Sequence, residues 1–217
     1  MPKTAPFNNY YKLYEEWFER NKFVYLSELE AVRYFIPKNK FGIEIGSGTG
    51  RFSIPYGIKI GIEPSVKMQK ISLAKGMKVI GGVAEALPLK NGIFDFALMV
   101  TTICFVDEVE KSFKEVHRIL KENGVFIVGL VDKESALGLK YLAMKTKSKF
   151  YGEATFYSTK EVLYILEKTG FHCEKVIQTV FGNSLKEIKS IQKWEEGYGR
   201  GSFVVIRARR KRIDSGG

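Results

Sequence analysis

The stretch Phe41 to Phe52 reads FGIEIGSGTGRF, a short apolar run that ends in Gly46, Gly48 and Gly50. An apolar run that breaks on glycines reads as a buried strand entering a tight turn. Glycine adopts backbone angles closed to other residues and lets the chain approach a ligand closely. A helix is expected to begin after the turn. The backbone N–H groups of the turn and the helix start suit an anionic group such as a carboxylate. Glu44, near the strand's end, is expected to point a carboxylate into the same crevice. A dinucleotide fingerprint would need glycines at positions 46, 48 and 51, but position 51 is Arg51, so the spacing argues against NAD. The next strand ends in Glu63, 17 residues beyond Gly46, where an acid can accept both hydroxyls of an adenosine ribose.

Working outward, strand-like runs alternate with helical patterns, the signature of βαβ units and a largely parallel sheet. FGIEI (41–45), IKIGIE (58–63), KVIGG (78–82), FDFALMV (94–100) and VFIVGLV (125–131) read as successive strands. FHCEKVIQTVF (171–181) and SFVVIRARR (202–210) follow, with no long helix pattern between them, and are expected to pair antiparallel. The helices are punctuated. One opens after Pro64-Ser65 and stops at Gly76. Another starts at a capping-box-like Asp107/Glu110 pair, buries Val109, Phe113, Val116 and Leu120, and ends at Asn123-Gly124. A third runs from Ser158/Glu161 to Gly170. Two amphipathic helices precede the first strand, with Tyr11, Tyr14 and Phe18 on one face and Leu29, Val32 and Ile36 on the other. Pro37 ends the second helix, and 132–157 and 182–200 read as irregular.

The composition agrees with one globular α/β domain of 217 residues: 45% hydrophobic, 27% charged, and long enough for a single core. No apolar run approaches the about 18 residues of a membrane span, and the first residues do not read as a secretory signal, so a cytoplasmic protein is expected. Two cysteines and two histidines argue against a disulfide framework or a structural metal, and no metal is expected. The net charge is +11, divided as +3 over 1–108 and +8 over 109–217. That excess leaves nucleic acid as a partner to consider, although a solvated basic surface is the plainer reading.

Taken in order, E-x-G-x-G-x-G (Glu44 to Gly50), GIEPS (61–65), AEALPL (84–89), FDFALMVTTICFV (94–106), EVHRILKENG (115–124) and FYSTKEVLYILEKTGF (156–171) resemble the class I S-adenosylmethionine-dependent methyltransferases. The likeness is to the small-molecule type related to ubiquinone and menaquinone biosynthesis. YEEWF (14–18) also resembles that family's N-terminal segment, whose helix caps the cofactor. The resemblance implies a Rossmann-like, doubly wound, mostly parallel seven-stranded sheet with a last antiparallel strand and N-terminal capping helices. It implies cap helices over 1–38, a cofactor-binding half over 39–131, an acceptor-side insertion over 132–157, the C-terminal half of the sheet over 158–210 and a basic tail over 211–217.

It further implies that the turn from Glu44 to Gly50, with Gly46, Ser47 and Gly48, holds the methionine end of S-adenosylmethionine, with Tyr14 closing over its carboxylate. Glu63 and the adjoining Pro64 would meet the ribose, Val83, Ala84 and Glu85 the adenine, and Thr101 and Thr102 would flank the transferable methyl. Val83 stands where the family often has an Asp for the adenine amino group. Either Glu85 takes over that bond, or backbone and packing hold the ring.

Methyl transfer is an in-line displacement that alignment and exclusion of water can accelerate without a catalytic side chain, and none is evident. His117 and His172 read as surface or packing residues, and Cys104 as a small buried thiol near the acceptor. Phe105, Phe150, Tyr151, Phe156 and Tyr157 could stack on a ring or embrace an amine, or simply pack an irregular insertion. The expected activity is methyl transfer to N, O or C of a small-molecule acceptor. The alternatives are an RNA- or protein-directed methyltransferase using the basic insertion and tail, and a non-catalytic nucleoside-binding module.

Overall fold

In the computed structural model, which describes residues 3–211, the strand-like runs join one sheet. Its strands are β1 (Gly42–Ile45), β2 (Ile60–Ile62), β3 (Lys78–Ile80), β4 (Phe94–Val100), β5 (Leu120–Val131), β6 (Phe171–Thr179), β7 (Glu195–Glu196) and β8 (Phe203–Arg210). The order is β3-β2-β1-β4-β5-β8-β6-β7. β1 to β5 pair in parallel, while β8 runs antiparallel between β5 and β6. All seven expected strands are present, and the two-residue β7 adds an eighth at the edge. The chain winds outward from β1 to β3 and then crosses to β4 on the other side of β1. That reversal opens a crevice beyond the carboxyl ends of β1 and β4, where α/β sheets bind ligands.

Strand alternation divides the core. Ala97 and Met99 of β4 join one apolar cluster with α5 (Val109–Ile119) and α7 (Thr159–Lys168); Phe96 and Leu98 join another with α3 (Lys22–Phe35). Neighbouring strand residues thus feed opposite faces, and both faces are covered, which is why β4 and the 125–131 part of β5 are nearly all apolar. Further helices are α1 (Ala5–Asn9), α2 (Tyr11–Arg20), α4 (Val66–Ala74) and α6 (Ala136–Ala143). Ser65 caps α4 through Met68 N–H, and Ser158 with Glu161 closes the expected capping box on α7. Among the described residues no helix is long and apolar enough to cross a membrane.

Three local expectations change. After Gly50 the chain forms only a 3₁₀ turn, Ile54–Tyr56, because Gly57 turns it at φ +71° and Ile58 N–H closes back on Ser53. α5 ends at Ile119, and its start carries no box from Asp107. Glu85 instead accepts from the N–H groups of Asp107 (2.7 Å) and Glu108 (3.4 Å). The stretch 132–157 is not wholly irregular: Ser135 caps α6 through Gly138 N–H. Of the basic tail, Lys211 is described and pairs with Glu167, while 212–217 lie outside the described residues. Arg207 and Arg209 lie in β8, and both pair with Glu174.

Candidate functional site

The crevice holds a cavity of about 370 Å³, walled by the glycine turn, the ends of β2 and β4, the loop after β3 and the ends of β5, β6 and β8, with α1, α2 and α6 closing it. Small-molecule sites commonly have about 300–1,000 Å³.

At the turn, Gly46 and Gly48 line the cavity with φ of +73° and +54°. A Cβ on Gly46 would stand 2.3 Å from the Thr102 side chain, so only glycine fits there. Glu63 sits across from them. Its Oε2 accepts from Gly48 N–H and its Oε1 from Ser65 N–H, both at 2.8 Å. A carboxylate offers about four lone-pair sites, so two remain for a ligand in the cavity. Burial raises the Glu63 carboxyl above the usual range, against the opposing pull of these two N–H groups.

Glu44 departs from expectation. It is buried outside the cavity wall and accepts from the Ser53 hydroxyl; burial, reinforced by the Glu63 charge, pushes its carboxyl up to about 8. Ser47 and Gly50 also lie behind the wall. Among the described residues Ser47 Oγ is buried without a hydrogen-bond partner, and the space beside Gly50 is filled by Met77 and Ile54.

α2 is fastened over the turn by charge. Arg51 pairs with Glu15 (2.7 Å) and Glu19 (3.2 Å), Lys75 reaches Glu15 at 3.3 Å, and Thr49 donates to the same carboxylate. The Arg51 guanidinium also lies over the Phe18 ring, 4.9 Å from its centre. Arg51, which breaks the dinucleotide spacing, is thus the clip that holds the roof. Tyr14 projects from α2 so that its hydroxyl would be 3.1 Å from a Cβ on Gly48. Burial is the main cause that drives its phenol far up, with Glu44, Glu63 and Glu15 adding to it. Asn8 of α1 accepts from Ser65 Oγ at 2.8 Å, which joins the roof to the start of α4.

At the end of β4, Thr101 adopts φ +50°, a strained angle for a β-branched residue, and Thr102 Oγ1 donates to Gly46 O at 3.2 Å. Phe105 stacks on Tyr151 at 6.0 Å and meets Phe7 of α1 edge-on at 4.8 Å; Phe7 in turn contacts Phe150 at 5.8 Å. Tyr151 also stacks on Tyr141 of α6 at 5.1 Å.

Of the residues singled out in the sequence, Tyr14, Gly46, Gly48, Glu63, Pro64, Val83, Ala84, Glu85, Thr101, Thr102, Phe105, Phe150 and Tyr151 meet in this wall. Cys104, Phe156 and Tyr157 stand outside it. The Cys104 thiol bonds Thr101 O, and burial pushes it up to about 12; Phe156 backs Tyr151; Tyr157 packs against the α5–α7 core. Glu85 spends one oxygen on the start of α5, which limits what it can offer the cavity. The sequence reading missed Phe7, Tyr141, the Arg51 clip and Glu28. Glu28 had a signal: it falls on the helical face of Val24, Ala31 and Phe35, where a carboxylate breaks an apolar stripe.

Comparison with known proteins agrees with this geometry. A family described as "Methyltransferase domain" matches residues 43–128. A crystal structure of a SAM-dependent methyltransferase from Thermotoga maritima, described as a possible histamine N-methyltransferase, is 50% identical with a TM-score of 0.93. The match covers 96% of this chain and all of that one. An uncharacterized protein of Methanocaldococcus jannaschii is 45% identical over 93% of this chain and 97% of its own length. The malonyl-[acyl-carrier protein] O-methyltransferase of Geobacter sulfurreducens is 25% identical over 62% of this chain and 56% of its own. With the glycine turn, the acid at the end of β2 and the strand order in agreement, the chain belongs to the class I S-adenosylmethionine-dependent methyltransferases.

Proposed function

We propose that the acceptor is a small molecule, methylated on N, O or C in the cavity between the glycine turn and the aromatic cluster. The supporting observation is the cavity itself: it runs from Glu63 to Tyr141 and Phe203 beneath the roof of α1 and α2, and its wall is largely apolar and aromatic. The charge distribution supports the same reading. Arg207, Arg209 and Lys211 are engaged by Glu174 and Glu167, so this basic run is paired within the fold. In this reading the whole chain works as one methyltransferase domain of the type resembling the ubiquinone and menaquinone enzymes.

The residues present fit S-adenosylmethionine. Glu63 keeps two lone-pair sites for ribose hydroxyls, and the absence of a Cβ at Gly46 and Gly48 lets Thr102 and Tyr14 close on the backbone of the turn. When bound, the cofactor supplies a methyl group on a sulfonium centre. Gly46, Gly48 and Tyr14 would hold its methionine end; Val83 and Ala84 would pack the adenine, with Glu85 held by the start of α5. Thr101 and Thr102 would fix the reacting end, anchored by the Thr102–Gly46 bond. The roof excludes water, and alignment in a dry site is the main source of acceleration.

The test is calorimetric titration with S-adenosylhomocysteine, using NAD as the matched control. Binding of the first alone is expected. Binding of neither removes this reading, and activity that collapses steeply with salt points to a nucleic-acid acceptor instead.

A further inference from the structure

Glu28 of α3 lines the cavity yet is only 5% exposed, and among the described residues nothing donates a hydrogen bond to it or pairs with it. The other two carboxylates of the wall are both engaged: Glu63 by two N–H groups and Glu85 by the start of α5. No cation compensates Glu28. Burial alone acts on its carboxyl, pushing it up to about 8. Arg20, also on the wall, leans toward Glu16 and is largely exposed. A buried carboxyl with no partner keeps its proton, and its charged form is repaid only by a ligand that brings the opposite charge.

The rings around it add to this. Glu28, Tyr141 and Tyr151 line the same cavity, and the Glu28 charge bears on both phenols of that stacked pair. Aromatic faces attract an ammonium group and do nothing comparable for an anion. Resting on the small-molecule reading above, we propose that the acceptor is an amine whose ammonium group pairs with Glu28 in the part of the cavity that Tyr141 and Tyr151 line. An anionic acceptor would meet a carboxylate with no counter-ion, and a neutral alcohol would gain one hydrogen bond where an ammonium gains an ion pair.

The other ionisable groups on or behind this part of the wall include Tyr14 of α2, Tyr25 of α3, the two cavity tyrosines and Cys104, all raised by burial, with Arg20 at the margin and Lys3 paired with Asp107. As pH rises, Glu28 gains charge together with Glu44 and Glu63, and of the three only Glu28 lines the cavity without a partner among the described residues. Pairing with an ammonium group releases the Glu28 proton, so amine affinity rises with pH across this range.

The experiment titrates the protein, saturated with S-adenosylhomocysteine, with matched pairs: benzylamine and benzyl alcohol, 2-phenylethylamine and 2-phenylethanol, butylamine and butanol. The amine of at least one pair is expected to bind tenfold or more tightly than its alcohol. Glu28→Gln, a neutral isostere, is expected to erase the difference while S-adenosylhomocysteine still binds, and Glu28→Asp to keep part of it. Equal binding within every pair overturns the proposal, as does a preference that survives E28Q. Failure of S-adenosylhomocysteine to bind the unaltered protein overturns both this and the reading on which it rests.

Discussion

Glu63→Ala is the most informative substitution, because the same carboxylate is held by the fold and offered to the ligand. In the proposed complex its free lone pairs accept two ribose hydroxyls, each a hydrogen bond to a charged group worth about 1.5–3 kcal/mol. Their loss weakens S-adenosylhomocysteine binding by about 3–6 kcal/mol, a rise in Kd of roughly 10² to 10⁴. The variant also strips the acceptor from Gly48 N–H and Ser65 N–H. Water from the adjoining cavity can replace it, so the stability cost is about 1–2 kcal/mol, or roughly 2–8 °C in Tm. Glu63→Gln keeps one acceptor oxygen but turns an amide N–H₂ toward one of the two donors, and should fall between. Calorimetry gives the affinity, and a thermal melt shows that the fold survives. A folded E63A that binds within threefold of the unaltered protein would refute the assignment of Glu63 to the ribose.

Four further outcomes are expected. Gly46→Ala combines a left-handed backbone angle, about 1–2 kcal/mol, with overpacking against Thr102, about 1–3 kcal/mol. Gly76→Ala, at φ +88° with nothing within 4 Å, carries only the first cost, so the two melts should differ. Arg51→Ala loses ion pairs of about 0.2–1 kcal/mol each and a ring contact, so it should speed S-adenosylhomocysteine release up to roughly tenfold in stopped flow with little change in Tm. Cys104, pushed up to about 12, holds roughly one thiolate in 10⁴ at pH 8; iodoacetamide should leave it unmodified until denaturant is added, as mass spectrometry would show. Glu28 and Glu44, each raised to about 8, hold protons in the folded state that the unfolded chain gives up above about pH 4.5. Their contribution to stability is therefore lost as pH rises toward 8, and E28Q and E44Q should each flatten that decline in melts across the window.

The strands were legible because burial on both faces demands unbroken apolar runs, and FDFALMV and VFIVGLV leave no other reading. The family motifs likewise located Gly46, Gly48, Glu63 and the β4 end, all of which reach one cavity. What escaped was decided by partners distant in sequence. Asp107 and Glu110 have capping-box spacing, but Glu85, 22 residues back, takes the N–H groups at the start of α5. Glu44 looked free at a strand end, yet Ser53, brought back by the short 3₁₀ turn, binds it behind the wall. α6, ALGLKYLA, is apolar on most sides and so lacks the period that marks a surface helix. The aromatics divide for a similar reason: Phe150 and Tyr151 face the cavity, whereas Phe156 supports Tyr151 from behind, a distinction that spacing alone does not carry.

The seat of α3 bears on how the site is assembled during synthesis. Ser27 Oγ accepts from Gln192 N–H at 2.8 Å, and Phe35 O accepts from Arg207 at 3.1 Å, so a helix made among the first residues rests on segments made among the last. The glycine turn and Glu63 follow β1 and β2, which pair with each other and with β4, all strands made before β6 and β8. The wall at Val180 and Phe203, against which Glu28 and its helix close, exists only once β6 and β8 have left the ribosome. Shortening the chain from its carboxyl end should therefore take away the acceptor compartment first and spare the cofactor half longest.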